Sequence, residues 1–364
     1  MPYKIDPFTR TPGIAGNAYI DMKYADTIIA NFESEESYKY VYKIVGLRGS
    51  GKSVEYSKII KHFREKAHHK NWLVYTLSSA NNPIEALISF LSREKFIDDK
   101  KRSTTISSNG SVSGKLLLAE GNAEVGISKH TEENDRYYSQ EVILEEMIKK
   151  ANEKGFHILI GIDDIAKTPQ MVQFLSIFGK MLLDGDKKLY LVCTGIAKNI
   201  EDVANEASLT FFKRSDQLEI KGLDKYEVAD MYMKLLGVSQ EQAAEFSKFV
   251  KGYAYAYQVL GTLYFQKTEK ETFENILPAF DKILFRDSYE LIWQSLTEAE
   301  KQLVKLIVQS ETGKVADIKN KMEKPANYNM LKERIDKKHI LSDSERGYVR
   351  IDLPRFKEFV ELWG

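Results

Sequence analysis

The stretch Gly46-Leu47-Arg48-Gly49-Ser50-Gly51-Lys52-Ser53 matches the pattern G-x-x-x-x-G-K-[ST] at every defined position. Residues 40–45 before it are β-branched and aromatic, as in a buried strand, and residues 54–64 after it have the apolar spacing of a helix. Glycines between a strand and a helix let backbone N–H groups turn inward around phosphate oxygens, and the helix N-terminus adds partial positive charge. The sequence therefore predicts a phosphate-binding loop.

Each part of this loop has an expected role in binding a nucleotide. Lys52, which we expect to be exposed, would reach the β- and γ-phosphates, and the Ser53 hydroxyl would hold Mg²⁺. ATP or ADP with Mg²⁺ is thus the predicted cofactor. The predicted nucleotide-binding residues are Gly46, Leu47, Arg48, Gly49, Ser50, Gly51, Lys52, Ser53 and Val54, with Phe8 from the Pro- and Gly-rich segment 1–19. Phe8 has two interpretations: it lies over the adenine, or it anchors this segment to the core.

Residues 156–162 form an apolar run that ends in two carboxylates, Asp163 and Asp164. If this strand lies next to the strand before the loop, Asp163 can hold a Mg²⁺-bound water and Asp164 can orient the attacking water. Asp also begins many turns, so the pair alone is a weak signal, but the upstream loop favours the catalytic interpretation. Another strand, 189–195, carries Thr194 near its end, where this residue could sense the γ-phosphate. Lys52, Asp164 and Thr194 are therefore the catalytic candidates.

Composition is that of an ordinary globular protein. The 364 residues are 43% hydrophobic and 29% charged, and the formal net charge is zero, so no global field attracts nucleic acid or membranes. The one cysteine, Cys193, excludes a disulfide framework and fits a reducing compartment. The sequence shows neither a signal peptide nor an apolar run approaching the ~20 residues of a membrane span. These features predict a cytoplasmic protein without membrane contact.

Strands and helices alternate through the first two thirds of the chain, which predicts an α/β fold: a parallel sheet with helices on both faces. From residue 222 the pattern becomes helical. In the last third, Thr297 and Glu300 form a predicted capping box, and three helices precede a hairpin, as in a winged helix. We therefore expect an ATPase core over 1–221 with a hairpin insertion at about 98–135, a helical lid over 222–290, and a winged-helix domain over 291–364.

The chain resembles bacterial and archaeal AAA-family ATPases that join an ATPase module to a winged helix, relatives of the STAND and archaeal origin-recognition ATPases. The resemblance covers nearly the whole chain, and its motifs are residues 6–9, 46–53, 162–164, 209–216, 251–258 and 347–354. It implies an AAA+-type core, a lid and a winged helix. It also implies that Arg214 reaches the γ-phosphate of a neighbouring subunit in a homo-oligomer; the alternative for Arg214 is a surface salt bridge.

Two departures from the family pattern bear on the expected activity. The strand that ends in Asp163-Asp164 usually ends in Asp-Glu in the family, so the second carboxylate should sit about one methylene further from the water. Residues 251–261 offer no arginine where many lids carry a second sensor. We therefore expect slow ATP hydrolysis.

Three functions fit these observations. The first is a nucleotide-dependent switch in which ATP closes the lid, reorients the winged helix and changes partner binding. The second is an ATP-dependent, DNA-binding regulator or loader. The third, a small-molecule P-loop kinase, is disfavoured by the lid and the winged helix. Salt-dependent duplex binding would separate the first two.

The DNA hypothesis depends on the helix predicted over 326–338. If Met330, Leu331 and Ile335 face the core, polar side chains are exposed for a major groove. The candidate nucleic-acid residues are Asn329, Lys332 and Arg334 on this helix and Arg346 and Arg350 in the wing. Acidic neighbours such as Glu333 and Asp336 dilute this charge, so the winged helix could equally bind a protein partner.

Overall fold

The computed structural model describes residues 5–95, 104–106, 112–114, 139–183, 188–338, 340–341 and 345–364. In chain order the strands are β1 (Val41–Val45), β2 (Trp72–Leu77), β3 (Thr104–Ile106), β4 (Val112–Gly114), β5 (His157–Ile162), β6 (Leu189–Gly195) and β7 (Asp216–Glu219). Among these residues, no helix is long and apolar enough to cross a membrane.

The central sheet has five parallel strands in the order β2-β5-β6-β1-β7. The predicted neighbour relation between the two functional strands is therefore wrong, because β6 lies between β1 and β5. Hydrogen bonds pair Ile44 with Thr194 across β1 and β6, and Ile162 with Cys193 across β5 and β6. Since parallel strands end at the same edge, the loop after β1, Thr194 and the carboxylates after β5 still meet there.

The first seven helices surround this sheet. They are α1 (Tyr24–Glu33), α2 (Lys52–Lys70), α3 (Pro83–Leu91), α4 (Gln140–Glu153), α5 (Pro169–Leu183), α6 (Ala197–Ala204) and α7 (Thr210–Arg214). One apolar core joins α1 and α2 to one face of the sheet, and a second joins α3 to α7 to the other. The fully buried strands β1, β5 and β6 carry apolar residues facing both cores. The α/β class with helices on both faces is thereby confirmed.

The remaining helices follow the sheet, and the described residues after β7 contain no further strand. They are α8 (Lys225–Leu236), α9 (Gln240–Val250), α10 (Ala254–Gln266), α11 (Phe273–Leu284), a π-helical turn (Phe285–Tyr289), α12 (Glu290–Gln294), α13 (Glu298–Val308), α14 (Val315–Lys321), a 3-10 turn (Pro325–Asn327), α15 (Tyr328–Asp336) and α16 (Phe356–Trp363). We call α8 to α11 and the π-helical turn the lid helices. A single apolar core runs from them through α13, α15 and α16.

Side-chain caps explain several of these helix starts. The Asp224 carboxylate accepts hydrogen bonds from the first turn of α8, and Ser239 does the same for α9. The capping box predicted at Thr297 and Glu300 is confirmed: each side chain bonds the other residue's backbone N–H. Helices α6, α7, α11, α12 and α16 are not predicted by the sequence patterns.

The C-terminal part differs from the prediction in its hairpin. Helices α13, α14 and α15 are present, but no β-strand is assigned among the described residues of the predicted hairpin. Two isolated antiparallel bridges occur there, Leu341 with Ile351, and Tyr348 with Lys314 at the start of α14. Residues 342–344 of the predicted turn lie outside the described residues. On α15 the buried side chains are Tyr328, Leu331 and Ile335, so the expectation that Met330 faces the core is wrong. Its side chain is 44% exposed because the buried face follows the spacing of Tyr328, Leu331 and Ile335, and a residue next to Leu331 is rotated by about 100° away from that face.

Most of the insertion predicted at about 98–135 lies outside the described residues. Within it, β3 and β4 pair antiparallel, with Thr105 opposite Ser113. A hairpin is thus present, but it begins earlier than the stretch 111–129 in which the alternating pattern was recognised. The boundaries between core, lid and winged helix stay a prediction.

Candidate nucleotide-binding site

The loop after β1 has the backbone that its glycines predict. Gly49 and Gly51 have φ angles of +78° and +105°, in the region that residues with a side chain rarely adopt. A Cβ atom on Gly49 would also lie 2.6 Å from the Tyr253 hydroxyl. Helix α2 begins at Lys52, directly after the second of these glycines. Its first N–H groups are thereby placed at the strand edge, where they can receive an anion.

Lys52 is not exposed, which corrects the sequence interpretation. Its side chain folds back into the loop, where Nζ donates hydrogen bonds to the carbonyls of Gly46 (3.0 Å) and Leu47 (2.9 Å). Burial lowers the pKa of Lys52 from its usual value to about 8, against the raising effect of Asp164. The loop thus holds a desolvated ammonium group within reach of an incoming anion.

Ser53, Asp163 and Thr194 meet at the edge of the sheet. Asp163 Oδ1 accepts a hydrogen bond from Ser53 Oγ at 3.2 Å and another from Thr194 Oγ1 at 2.5 Å. Thr194 is fully buried, so its hydroxyl orients the Asp163 carboxylate from the protein interior. The structure thus brings together three residues that the sequence singles out, and the role of Thr194 towards the γ-phosphate stays a prediction.

Asp164, the residue after Asp163, has a different geometry. Its φ is +54°, and its backbone N–H donates to Thr194 Oγ1 at 2.9 Å. The side chain is 61% exposed and lies 4.0 Å from the Arg48 guanidinium. Asp tolerates left-handed backbone better than most residues. Both carboxylates are exposed, but Asp163 is fixed by two hydroxyl donors, whereas the Asp164 side chain has, among the described residues, only the distant Arg48 guanidinium beside it.

A cleft of about 480 Å³ opens over the loop. Its walls come from the N-terminal segment, from the loop with Asp163, Asp164 and Thr194, and from the lid helices. The lining residues from the N-terminal segment and from residue 223 onward are 9–16, Tyr19, Ile20, Met22, Leu223, Ala254, Tyr255, Tyr257, Gln258, Asp287 and Ser288. Three parts of the chain that are distant in sequence thus enclose one space.

Phe8 lies outside this lining. It is 5% exposed, and its ring packs against Tyr257 and Tyr232, with ring centroids 5.6 and 6.0 Å away. This placement corresponds to the anchoring alternative, and contact with a base would require the ring to leave the core. The segment after Phe8 covers the cleft instead, with Gly13 close to Ser57 in α2.

Several lining residues had no signal in the sequence. Gln258 fastens the N-terminal segment to the lid, because its Oε1 accepts from the Thr9 N–H at 2.9 Å. Tyr19 is held by Glu55, a fully buried carboxylate of α2, at 2.5 Å. The exposed apolar Ile14 beside a Pro-Gly pair is the one feature that could have indicated a covering segment. The other contacts depend on chain pairing that no local pattern encodes.

The residues present fit a nucleotide with Mg²⁺. Ser53 Oγ and Asp163 Oδ1 form a hydroxyl and carboxylate oxygen pair of the kind that Mg²⁺ prefers, and Mg²⁺ takes its other ligands from water and phosphates. The buried Ser50 Oγ in the loop has no hydrogen-bond partner among the described residues. Those residues contain no group of three or more His, Cys, Asp or Glu side chains that could hold a metal ion.

The candidates outside the cleft are dispersed. Arg214 is exposed at the end of α7 and does not line the cleft, so its role towards a neighbouring subunit stays a prediction. Asn329 and Arg334 are exposed on α15, whereas Lys332 is half-buried. The wing residues Arg346 and Arg350 are also exposed. Their contact with nucleic acid stays a prediction as well.

Comparisons with known proteins give structural similarity alone. No protein-family model matches the chain, and no curated protein matches it. Aeropyrum pernix ORC2 in its ADPNP–ADP complexes matches with a TM-score of 0.57, 11% identity and 94% of each chain covered. Its ADP form matches with a TM-score of 0.49, 12% identity and coverage of 94% of this chain and 95% of that one. Cdc6p from Pyrobaculum aerophilum matches with a TM-score of 0.42, 10% identity and coverage of 97% of this chain and 98% of that one.

Of these three similarities, the first has a TM-score above 0.5 and carries the comparison. It spans almost the whole of both chains, so it includes the lid helices and the C-terminal helices as well as the sheet. The chain therefore has a fold similar to that of Aeropyrum pernix ORC2.

Proposed function

We propose that this chain binds ATP and ADP with Mg²⁺ in the cleft over residues 46–53 and acts as a nucleotide-dependent switch. The observation that carries the proposal is the hydrogen bond between Ser53 and Asp163, 110 residues apart, at the mouth of a loop with glycine-dependent backbone. A hydroxyl and a carboxylate in this position can share one cation, and Lys52 beside them supplies a positive charge for phosphate.

The switch part of the proposal rests on how the cleft is enclosed. A ligand there would contact the N-terminal segment, the loop and the lid helices at once. The lid helices share one apolar core with α13, α15 and α16, so movement of the lid would carry the C-terminal helices with it. Binding of ATP rather than ADP can therefore change the surface that the C-terminal helices present to a partner.

Hydrolysis is proposed to be slow. Asp164 is the residue that would take the proton of the attacking water, and its side chain is one methylene shorter than the glutamate that the family usually has there. Thr194 acts as a positioning residue, because its buried hydroxyl bonds both Asp163 Oδ1 and the Asp164 N–H. Arg214 on a neighbouring copy would supply further charge if the chain forms a homo-oligomer.

A combined titration and size measurement tests the proposal. Calorimetry with ATP, ADP and a non-hydrolysable ATP analogue, each with and without Mg²⁺, should show Mg²⁺-dependent binding. Light scattering and small-angle X-ray scattering of the same samples should show a change in dimensions or assembly between the ADP and analogue states. Absence of binding would overturn the nucleotide site; binding without any change would overturn the switch.

The lowered pKa of Lys52 predicts that nucleotide affinity depends on pH. Below about pH 8 the ammonium form predominates and can bind phosphate; above it, binding must include uptake of a proton. The ATP dissociation constant should therefore rise as pH increases from 7 to 9.5, approaching about tenfold per unit. The charged groups acting on Lys52 are Asp164, Arg48 and Asp163.

Lys52→Arg serves as the comparison, because guanidinium stays charged over this range. In this variant the pH dependence should disappear, even if the affinity at pH 7 is lower than in the parent. Calorimetric dissociation constants at four pH values would decide. A parent protein with constant affinity from pH 7 to 9.5 would contradict the assignment of the titration to Lys52.

DNA is a second candidate partner, favoured by the polar face of α15. With Tyr328, Leu331 and Ile335 buried, Asn329 and Arg334 face solvent. We predict weak, salt-sensitive duplex binding that falls on combining Lys332→Glu with Arg350→Glu, each lost phosphate contact reducing the salt slope by about one unit. Fluorescence anisotropy at several salt concentrations would measure this.

ATP affinity should not change in that double variant, because neither residue lines the cleft. Lys337→Glu is a suitable control, since Lys337 directly follows the same helix but its ammonium group lies 3.5 Å from the Glu201 carboxylate in α6. Undetectable duplex binding at low salt, with and without ATP, would mean that the C-terminal helices contact a protein partner instead.

A further inference from the structure

The lid helices hold the backbone of the phosphate-binding loop directly. The Tyr253 hydroxyl donates a hydrogen bond to the Arg48 carbonyl at 2.6 Å, and the Tyr255 N–H donates to the Gly49 carbonyl at 3.0 Å. Both donors belong to the start of α10, some 200 residues after the loop. Two consecutive carbonyls of the loop are therefore fixed by one turn of the lid.

Tyr253 is itself held in a defined position. Its side chain is 6% exposed, and its hydroxyl lies 2.5 Å from Ser288 Oγ in the π-helical turn. Since the Tyr253 proton goes to Arg48, Ser288 must be the donor in this second bond. Burial raises the pKa of Tyr253, so the hydroxyl keeps its proton. Tyr289, the next residue after Ser288, donates to the Pro354 carbonyl at 2.6 Å and fixes the turn.

The orientation of the loop peptide follows from these bonds. In a trans peptide the carbonyl and the following N–H point in opposite directions. A hydroxyl that fixes the Arg48 carbonyl towards the lid therefore directs the Gly49 N–H away from it. Because Gly49 has no side chain and a φ of +78°, this peptide would otherwise have more freedom to rotate than its neighbours.

We propose that Tyr253 is a positioning residue of the nucleotide site: its hydroxyl fixes the Arg48–Gly49 peptide so that the loop is arranged for phosphate before the nucleotide arrives. The consequence for affinity rests on the proposed function, whereas the ordering of the loop does not. Pre-arrangement raises affinity because the nucleotide does not have to supply the entropic cost of ordering the loop when it binds. The lid thereby contributes to the site through the loop backbone, in a chain whose lid residues 251–261 include no arginine.

Tyr253→Phe removes only the hydroxyl, and Tyr232→Phe is its matched control. Tyr232 is a fully buried lid residue whose hydroxyl also donates to a backbone carbonyl, that of Tyr257 at 2.9 Å, but this acceptor lies outside the loop 46–53. Neither tyrosine lines the cleft. Both variants lose one buried hydrogen bond in the same helical region. A difference between them therefore reports on the loop and not on general destabilisation.

Hydrogen exchange of the nucleotide-free proteins is the first measurement. Peptides covering residues 46–52 should exchange about five- to tenfold faster in Tyr253→Phe than in the parent, and unchanged in Tyr232→Phe. Ser288→Ala, which leaves the Arg48 bond in place, should give a smaller increase of about two- to threefold. It also provides a second test if Tyr253→Phe folds poorly.

Calorimetric ATP binding is the second measurement. The dissociation constant should rise about five- to tenfold in Tyr253→Phe and stay near the parental value in Tyr232→Phe. Equal loop exchange in the two variants would overturn the inference, whether or not ATP binds. Faster loop exchange in Tyr253→Phe together with a parent that binds no nucleotide would support the positioning role and overturn the proposed function instead.

Discussion

Replacing Lys52 with alanine is expected to weaken Mg-ATP binding by about a hundredfold or more. A hydrogen bond to a charged group contributes roughly 1.5–3 kcal/mol, and each 1.4 kcal/mol is about a factor of ten in affinity. Lys52 now donates to the carbonyls of Gly46 and Leu47, and phosphate oxygens would be stronger acceptors than these neutral groups. Titration calorimetry of parent and variant measures the effect.

The fold should survive this substitution. Burial already penalises the Lys52 ammonium, as its lowered pKa shows, so removing it relieves a desolvation cost while two carbonyl contacts are lost. Lys58→Ala is the matched control: it lies on the same helix, pairs with Asp21 and Asp26, and does not line the cleft. A Lys52→Ala protein with parental affinity and a normal unfolding transition would disprove the assignment of the loop.

The local parts of the site could be predicted from the sequence because a short pattern encodes them. The strand, glycine turn and helix around residues 46–53 depend on contiguous residues, and the structure has them in that order. Asp163 and Thr194 were identified because each ends an apolar strand. Parallel strands all end at the same edge of the sheet. The wrong neighbour predicted for β5 therefore does not change the edge at which its carboxylates lie.

The parts that sequence could not provide depend on contacts between distant segments. No pattern within residues 189–195 indicates that β6 lies between β1 and β5 in the sheet. The inward direction of Lys52 depends on which acceptors the folded loop offers, and the burial of Phe8 depends on Tyr232 and Tyr257 in the lid. In the sequence, Tyr253 is one of several aromatic residues at the start of α10. Its contact with the loop is known only from the structure.

Changing Asp164 to asparagine is expected to lower ATP turnover by about 100-fold while leaving nucleotide affinity within about twofold of the parent. General-base assistance typically contributes about 10²–10⁴-fold, and the amide cannot accept the proton. Asparagine also adopts the left-handed backbone that this position requires, with its φ of +54°, so the substitution does not distort the strand end. The 61% exposed side chain makes few contacts that binding would need.

Changing Asp163 to asparagine should have the opposite profile, and the contrast between the two variants is the test. Asp163 accepts from Ser53 and Thr194, so loss of its charge weakens a cation site without removing the local hydrogen bonds. We expect the Mg²⁺ dependence of ATP binding to diminish strongly in this variant and to persist in Asp164→Asn. Single-turnover hydrolysis and calorimetry over a range of Mg²⁺ concentrations separate the two effects. If both variants hydrolyse ATP like the parent, the roles assigned to this carboxylate pair are wrong, because no other carboxylate among the described core residues lines the cleft beside the loop.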